Sequence, residues 1–251
     1  MINLGEKVHF KIQRCEGPSS SPHWEEFDVS YYSGMNVIGA LMEIQKNPVT
    51  SEGKQTSPPV WEANCLEEVC GSCTMVINGK VRQACSALVV NLTQPIELQP
   101  MSKFPNVRDL KVDRSRMFEG LKKVGAWVHL DGTHALGAGP KVSPETQQTA
   151  YALSRCMTCG CCVEACPQYN DHSRFVGAAA ISQVRLFNMH PSGAMHAGER
   201  LESLMEPGGI SSCGNAQNCV KACPKEIPLT TSIGEVEWQV TKHAIKKLLG
   251  F

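Results

Sequence analysis

The chain has 251 residues and a formal net charge of zero, with 42% hydrophobic and 19% charged residues. This balance is that of a globular protein with a substantial core, and the neutral charge removes the basic field that would attract nucleic acid. No apolar run approaches about 18 residues, so no transmembrane helix is predicted. The N-terminal segment has neither the apolar core of a secretory signal nor a mitochondrial-type presequence, which predicts a chain that stays in the bacterial cytoplasm.

The first hundred or so residues favour a helix packed across a small mixed sheet. Apolar and polar residues alternate over 8–12 and 27–31, which predicts two half-buried strands. Residues 35–46 place their apolar side chains on one face of a helix. An Asn-Gly pair at 78–79 between short apolar runs predicts a hairpin with a type I′ turn, and 88–100 adds one or two short strands.

From about residue 115 the sequence becomes helical in its periodicity. Helices are predicted over 117–128, 143–156, 176–189 and 231–249. Ser143 followed by Pro144 is a typical helix start. The Gly-rich segment 132–143 is predicted to be a loop and lacks the preceding strand of a dinucleotide-binding turn. The pattern therefore predicts an α+β protein, with one domain over 1–110 and an all-α domain over 111–251.

Cysteine is the most unusual component of this composition. The chain has 13 cysteines, an odd number, and eleven of them lie in three tight groups. With no export signal, disulfides are not expected in a reducing compartment, whereas metal ligation is. The eight histidines form no recognised metal-binding pattern and are interpreted as surface or packing residues.

The first cysteine group has the spacing C-x4-C-x2-C, with a fourth cysteine eleven residues later. Its members are Cys65, Cys70, Cys73 and Cys85. This is the plant-type spacing for a 2Fe–2S cluster, in which one loop supplies three thiolates and Gly71 lets the backbone approach closely. Four cysteines also suit tetrahedral zinc, but structural zinc more often uses two separated C-x2-C pairs, so the iron–sulfur interpretation is favoured.

The second and third groups are related to each other. Residues 156–167, CMTCGCCVEACP, contain the complete C-x2-C-x2-C-x3-C-P run of two-cluster ferredoxins, in which the fourth cysteine of each run ligates the other cluster. Residues 213–224, CGNAQNCVKACP, fit the same run except at Ala216. The predicted 4Fe–4S ligands are Cys156, Cys159, Cys162 and Cys223. The remaining set is Cys166, Cys213 and Cys219.

Ala216 leaves this remaining set one thiolate short. The iron at an unligated corner is labile, so a 3Fe–4S cluster is the expected product; a fourth iron held by water or another side chain is the alternative. Cys15 and Cys161 stay outside the three ligand sets, and both are predicted to be packing residues.

Three clusters in one chain indicate one-electron transfer. The sequence shows no nucleophile–base pair, phosphate loop or flavin fingerprint, so no catalytic residue is predicted. We expect the chain to connect a two-electron donor to another redox centre. A three-iron centre generally has a higher potential than a four-iron one, within a range the protein tunes, which suits delivery to a quinone.

These motifs resemble, over essentially the whole length, the iron–sulfur subunit of succinate dehydrogenase and fumarate reductase, the family of respiratory complex II. The resemblance implies a β-grasp 2Fe–2S ferredoxin domain followed by an α-helical ferredoxin domain holding two cubane-type clusters. It implies a flavoprotein partner with covalent FAD that oxidises succinate, and a haem b membrane anchor that carries the quinone site. Electrons would pass from FAD through 2Fe–2S, 4Fe–4S and 3Fe–4S to quinone, on the cytoplasmic face of the cell membrane.

Two positions depart from the ubiquinone-reducing members of that family. Those members carry a tryptophan and a histidine where this chain has Asp171 and Gly214. The resemblance therefore implies the bacterial menaquinone-linked type with a di-haem anchor. Some members have aspartate where this chain has Cys73, so the 2Fe–2S ligation here is expected to be all-thiolate.

The sequence leaves three alternatives open. A quinol:fumarate reductase runs the same chemistry in reverse with the same ligands and partners. A stand-alone soluble ferredoxin-like carrier would lack a membrane complex, although the helical domain is larger than a minimal carrier needs. A zinc-stabilised binding module is the third, and its metal and acid-labile sulfide content would distinguish it.

Overall fold

The computed structural model describes residues 2–129 and 141–250. The chain forms two compact units. The first extends to Arg114 and also includes Met157–Glu164, whereas the second comprises Ser115–Cys156 and the residues from Ala165 onward. Most of the Gly-rich segment predicted to be a loop, residues 132–140, lies outside the described residues.

A mixed sheet forms the centre of the first unit. Its five strands, all within residues 2–114, are β1 (Lys7–Arg14), β2 (His23–Ser30), β3 (Thr74–Ile77), β4 (Lys80–Gln83) and β5 (Ile96–Gln99). The strand order is β2-β1-β5-β3-β4, with β1 parallel to β5 and the other neighbours antiparallel. Val8, Phe10 and Ile12 on β1 are fully buried, so the predicted alternation marks the core face of the sheet.

One helix, α1 (Val37–Lys46), shares the core of this sheet. Its N-terminal cap is Asn36, whose side-chain oxygen accepts a hydrogen bond from the Gly39 amide at 2.8 Å. Ile38 and Leu41 are among the buried residues of α1 and pack in the same cluster as the strands. The predicted helix over 35–46 and its packing against a mixed sheet are confirmed.

The hairpin between β3 and β4 is also confirmed. Asn78 and Gly79 have φ values of 48° and 74°, the left-handed conformations that a type I′ turn requires. Further along, 88–100 contains a single strand, β5, because Val89–Asn91 forms a 3₁₀ turn instead. The Val89 amide donates to the Met35 carbonyl at 3.0 Å, which directs this segment to the start of α1 rather than to the sheet.

A buried group of paired charges lies at the end of β1, where Arg14 contacts Asp109. Asp109, between the short strands β6 (Asn106–Arg108) and β7 (Lys111–Val112), is 1% exposed. Its carboxylate accepts hydrogen bonds from the Arg14 guanidinium and the Cys15 amide, each at 3.0 Å. Charged groups are stable at such depth only when they are paired and hydrogen-bonded, as they are here.

The segment Met157–Glu164, which contains the short helix α4 (Cys161–Glu164), packs within the first unit. The Glu164 carboxylate accepts hydrogen bonds from the Ser102 amide at 2.8 Å, the Ser102 hydroxyl at 2.7 Å and the Lys103 amide at 3.0 Å. This side chain therefore fixes the end of α4 to the loop that follows β5.

Helices dominate the second unit. Over residues 115–129 and 141–250 they are α2 (Ser115–Lys123), α3 (Pro144–Ser154), α5 (Ala178–Met189), α6 (Ala197–Met205), α7 (Asn218–Ala222) and α8 (Leu229–Leu248). The four predicted helices correspond to α2, α3, α5 and α8, and α3 begins at the predicted Ser143 cap, whose hydroxyl accepts from the Thr146 amide at 3.2 Å. None of the helices in the described ranges has the length and apolar character needed to cross a membrane.

Candidate metal centres

Backbone amides of the loop over residues 65–70 are directed at one sulfur. The amides of Glu67, Val69 and Cys70 donate to the Cys65 Sγ at 3.4, 3.3 and 3.3 Å. Hydrogen bonds of this kind stabilise negative charge on a thiolate and on a cluster bound to it.

Two residues of this loop have the left-handed conformation. Leu66 and Glu68 have φ values of 61° and 54°, although neither is glycine. Alternation of right- and left-handed residues turns successive amides into one concavity, the backbone arrangement found around anions and many iron–sulfur centres. These two residues therefore give the loop a feature of the backbone arrangement found around such centres.

The second cysteine of this loop has a pKa below the ordinary value of a thiol. Partial burial acts to raise the pKa of Cys70, but hydrogen bonds from the Ser72 side chain and from the Cys65 and Ser72 backbones outweigh burial and lower it to about 6. The Ser72 Oγ lies 3.4 Å from the Cys70 Sγ and the Ser72 amide donates to that sulfur at 3.5 Å. Cys70 is thus prepared to be a thiolate, the form that ligates iron.

The other two cysteines of this group flank the β3–β4 hairpin. The Ala84 amide donates to the Cys73 carbonyl at 3.1 Å, and the Asn36 side-chain amide donates to the Cys85 carbonyl at 2.8 Å. Burial, together with the neighbouring Cys85 thiol, raises the pKa of Cys73 to about 12. Two adjacent buried thiols ionise together only when positive charge is supplied, as a bound cluster would do.

The structure places three further cysteines in the first unit, and one of them is not a predicted ligand. Cys161 is fully buried, and its sulfur accepts a hydrogen bond from the Gln83 Nε2 at 3.3 Å. A hydrogen bond with Cys159, and then burial, raise the pKa of Cys161; the same bond lowers the pKa of Cys159 to about 7. Cys161 therefore stabilises the thiolate form of Cys159. The third cysteine of this segment is Cys162.

The two remaining members of the predicted 4Fe–4S set lie at helix ends in the second unit. Cys156 follows α3, and its amide donates to the Leu153 carbonyl at 3.3 Å. Cys223 ends α7, and its amide donates to the Val220 carbonyl at 3.3 Å. Both cysteines are therefore held at defined ends of short helical segments.

The structure brings Cys166, Cys213 and Cys219 to one pocket of the second unit. This pocket contains about 380 Å³ of space free of protein atoms, part of it open to solvent. Burial, and then the nearby Cys166 and Cys213 thiols, raise the pKa of Cys219. Across 2–129 and 141–250, no three His, Cys, Asp or Glu side chains are placed to hold a single metal ion. Three cysteine sulfurs around one pocket are a donor set of the kind that iron–sulfur clusters use.

Ala216 lines the same pocket. Its neighbours Asn215 and Gln217 have φ values of 50° and 58°, so the loop turns sharply on both sides of the alanine. A methyl group has no lone pair to offer to iron. The pocket is therefore one cysteine short of the complete run, at the position that the sequence identified.

Several residues that shape these sites were not identified from the sequence. Asn36 holds the Cys85 carbonyl, and Gln83 contacts the sulfur of Cys161. Arg114 donates to the Gly71 carbonyl at 2.8 Å. A glutamine at the end of an apolar hairpin, two residues before a cysteine, was the available signal for Gln83; nothing in the local sequence points to Arg114.

Family models match both parts of the chain. A 2Fe-2S iron-sulfur cluster binding domain matches residues 9–119, and a 4Fe-4S dicluster domain matches residues 152–227. These matches support iron–sulfur clusters rather than zinc. The fold also resembles a chain of the Mycobacterium smegmatis Sdh1 complex in the apo form, with a TM-score of 0.79 and 21% identity over 94% of this chain and 96% of that one.

Curated relatives extend over nearly the full length. The succinate dehydrogenase iron-sulfur subunit of Bacillus subtilis is 56% identical over 97% of this chain and 96% of its own. The fumarate reductase iron-sulfur subunit of Wolinella succinogenes is 30% identical over 92% of this chain and 95% of its own. With an α+β fold, an N-terminal 2Fe–2S ferredoxin domain and a dicluster domain, this chain belongs to the family of succinate dehydrogenase and fumarate reductase iron–sulfur subunits.

Proposed function

We propose that this chain is the electron-transfer subunit of a succinate:menaquinone oxidoreductase. The observation that carries the proposal is the set of three cysteine groups, each in an environment suited to a cluster, in a chain 56% identical to a succinate dehydrogenase iron–sulfur subunit. When bound, the three clusters supply one-electron centres between a two-electron flavin and a two-electron quinone. No residue of this chain is proposed to touch succinate, which would react in the flavoprotein partner.

The proposed ligand sets are those of the sequence motifs. The 2Fe–2S ligands are Cys65, Cys70, Cys73 and Cys85. The 4Fe–4S ligands are Cys156, Cys159, Cys162 and Cys223. The 3Fe–4S ligands are Cys166, Cys213 and Cys219. The amides around the Cys65 sulfur and the hydrogen bonds that lower the pKa of Cys70 support the first set, because both favour thiolates that share their charge with a cluster.

Ala216 supports a three-iron cluster in the last set. The methyl group occupies the position where a complete ferredoxin run has a sulfur, within the pocket that the three cysteines line. A fourth iron at this corner would depend on water or another side chain. The proposed centre is therefore 3Fe–4S, placed at the quinone end of the subunit.

Gly214 supports menaquinone rather than ubiquinone as the acceptor. A Cβ atom at residue 214 would lie 2.5 Å from the Gln168 Nε2, so the amide of Gln168 fills the space that a larger side chain would use. Together with Asp171, this departs from the ubiquinone-reducing pattern. The proposed partners are an FAD-containing flavoprotein and a haem b membrane anchor, and the proposed location is peripheral, on the cytoplasmic face of the cell membrane.

A quinol:fumarate reductase is the second candidate function. It is favoured by the 30% identity to the fumarate reductase subunit of Wolinella succinogenes, which extends over most of the chain. Both directions use the same electron carriers. The higher identity to a succinate dehydrogenase subunit favours succinate oxidation.

Affinity purification from detergent-solubilised membranes, using a tag on this chain, tests the proposed function. We expect co-purification of a flavoprotein with covalent flavin and of a haem protein, with succinate-dependent reduction of a menaquinone analogue faster than the reverse reaction. A faster reverse reaction would favour the reductase. Recovery of a lone, flavin-free chain from the soluble fraction would support the ferredoxin-like carrier instead.

A further inference from the structure

One glycine of the 2Fe–2S loop is in direct backbone contact with a predicted 4Fe–4S ligand. Gly71, between Cys70 and Cys73, has φ = 74°. A Cβ atom at this position would lie 2.7 Å from both the Cα and the Cβ of Cys159 and 3.2 Å from its amide nitrogen. Real Cβ atoms do not approach other atoms this closely, so the two loops touch through a space that only glycine leaves open.

A hydrogen-bonded network holds this contact within the first unit. The Gly71 carbonyl accepts from the Arg114 guanidinium at 2.8 Å and from the Thr74 hydroxyl at 2.7 Å. The Gln83 side-chain amide donates to the Thr74 hydroxyl at 3.1 Å and to the Cys161 sulfur at 3.3 Å. An amide nitrogen has two hydrogens, so Gln83 makes both bonds at once.

This network joins the same two segments as the glycine contact. Gln83 is fully buried at the end of β4, and Cys161 is fully buried two residues after Cys159. Because breaking a hydrogen bond between buried groups leaves a buried donor or acceptor unpaired, the bonds from the Gln83 side chain hold the loop and the cysteine segment in one arrangement. The spacing of Gly71 and Cys159 is therefore fixed from both sides.

We propose that Gly71 is a positioning residue for electron transfer between the first two clusters, an inference that rests on the ligand sets proposed above. In this step one electron leaves the reduced 2Fe–2S cluster, which is oxidised, and reduces the 4Fe–4S cluster; no bond or proton changes. The rate of electron transfer through protein falls steeply when packed contacts between two centres are replaced by gaps. The contact at Gly71 keeps the loop that holds Cys70 and Cys73 against Cys159, and so maintains that transfer.

Gly71→Ala is the direct test, and Gly79→Ala is its matched control. Both glycines lie in the first unit and have φ = 74°, but a Cβ at Gly79 meets no atom within 4 Å. The two variants therefore share the same backbone strain and differ in the contact. In Gly71→Ala the loops must separate by about 1 Å to restore ordinary carbon–carbon distances.

The measurements use the intact membrane complex. Iron and sulfide analysis establishes which clusters are present, electron paramagnetic resonance measures the spin–spin interaction between the two reduced clusters, and flash photoreduction measures the transfer rate. We expect Gly71→Ala to weaken the spin–spin interaction and to slow transfer several-fold with both clusters present, and Gly79→Ala to match the unaltered complex. Wild-type interaction and rate in Gly71→Ala would overturn the proposal.

A second variant decides the case in which Gly71→Ala loses either cluster. Gln83→Met keeps a side chain of similar size but removes both hydrogen bonds. We then expect a weaker spin–spin interaction and about a twofold slower transfer, and unchanged values would overturn the proposal. Absence of either cluster from the unaltered complex would instead contradict the ligand sets of the proposed function, before any variant is compared.

Discussion

The Cys65–Cys73 loop and the pocket of Cys166, Cys213 and Cys219 present sulfur to iron in different ways. In the loop, hydrogen bonds outweigh partial burial and lower the pKa of Cys70 to about 6. In the pocket, burial and two neighbouring thiols raise the pKa of Cys219. Hydrogen bonds in the loop thus stabilise the Cys70 thiolate before a cluster binds, whereas the Cys219 thiol of the pocket needs the positive charge of a bound cluster to ionise.

This difference indicates which change matters at each site. The properties of a cluster in the loop depend on hydrogen bonds to its sulfurs, which tune its potential. The identity of the cluster in the pocket depends on the number of donors around it, since Ala216 offers none. Variants that change donor number should therefore have larger effects than variants that change single hydrogen bonds.

Removal of a donor from the pocket has the largest expected effect. In Cys213→Ala two thiols remain, too few to hold a three-iron cluster, so the iron content of the purified complex falls by about three atoms per chain and quinone reduction is lost. Metal analysis and quinone-reduction assays measure both outcomes. Cys15→Ala, a buried cysteine outside the three ligand sets, serves as the control. Full iron content in Cys213→Ala would show that Cys213 is not a cluster ligand.

Addition of a donor to the pocket has the next largest effect. Ala216→Cys completes the ferredoxin run, so we expect a 4Fe–4S cluster with a lower potential in place of the three-iron one. Redox titration followed by electron paramagnetic resonance detects the conversion. The result that contradicts the alignment of the two runs is an unchanged three-iron signal with the new cysteine present.

Loss of one hydrogen bond in the loop has a smaller expected effect. Ser72→Ala removes the hydroxyl 3.4 Å from the Cys70 sulfur, a bond that stabilises the added negative charge of the reduced cluster. The expected result is a 2Fe–2S potential lowered by at most about 40 mV, because one hydrogen bond contributes about 1 kcal/mol and tenfold in equilibrium equals about 59 mV for one electron. Ser20→Ala is the control, because the Ser20 hydroxyl lies in the same unit but bonds to the sulfur of Cys15, which is not a predicted ligand. This variant should leave the potential of the 2Fe–2S cluster unchanged. A raised potential in Ser72→Ala would reverse the assigned role of this bond.

The smallest effect is expected at the cysteine between two predicted ligands. Cys161→Ser keeps a polar group that bonds to Gln83 and Cys159, so the iron content should match that of the unaltered complex. Cys162→Ser, at the neighbouring residue, should lose about four iron atoms per chain. Metal analysis of both variants separates a supporting cysteine from a ligand, and iron loss in Cys161→Ser would make Cys161 the ligand.

Local patterns were sufficient to predict the sheet strands, the hairpin at 78–79 and the longer helices. These elements depend on apolar–polar alternation, turn residues and helix caps, all of which involve residues close together in the sequence. The 3₁₀ turn at Val89–Asn91 was missed, because an amide bond to Met35 decides its conformation. The helices α4, α6 and α7 were also not predicted; α4 and α7 are only four and five residues long, too short for a periodic signal.

The cysteine groups were visible from spacing, but the surroundings of the sulfurs were not. The left-handed conformations at Leu66 and Glu68 could not be predicted, because neither residue is a glycine. The packing of Met157–Glu164 within the first unit arises from contacts with residues distant in sequence, such as Ser102 with Glu164. A contact of this kind also brings Gly71 close to Cys159. The cysteine spacing had suggested a close approach of Gly71 only to the cluster.

Electron paramagnetic resonance of the oxidised, intact complex, with spin quantitation, tests the three-iron assignment most directly. Oxidised 2Fe–2S and 4Fe–4S clusters give no paramagnetic signal, so we expect about one spin per chain from the three-iron cluster held by Cys166, Cys213 and Cys219. An oxidised complex that lacks the three-iron signal, counted separately from that of ferric haem, with four iron atoms or none at these cysteines, would rule out the assignment.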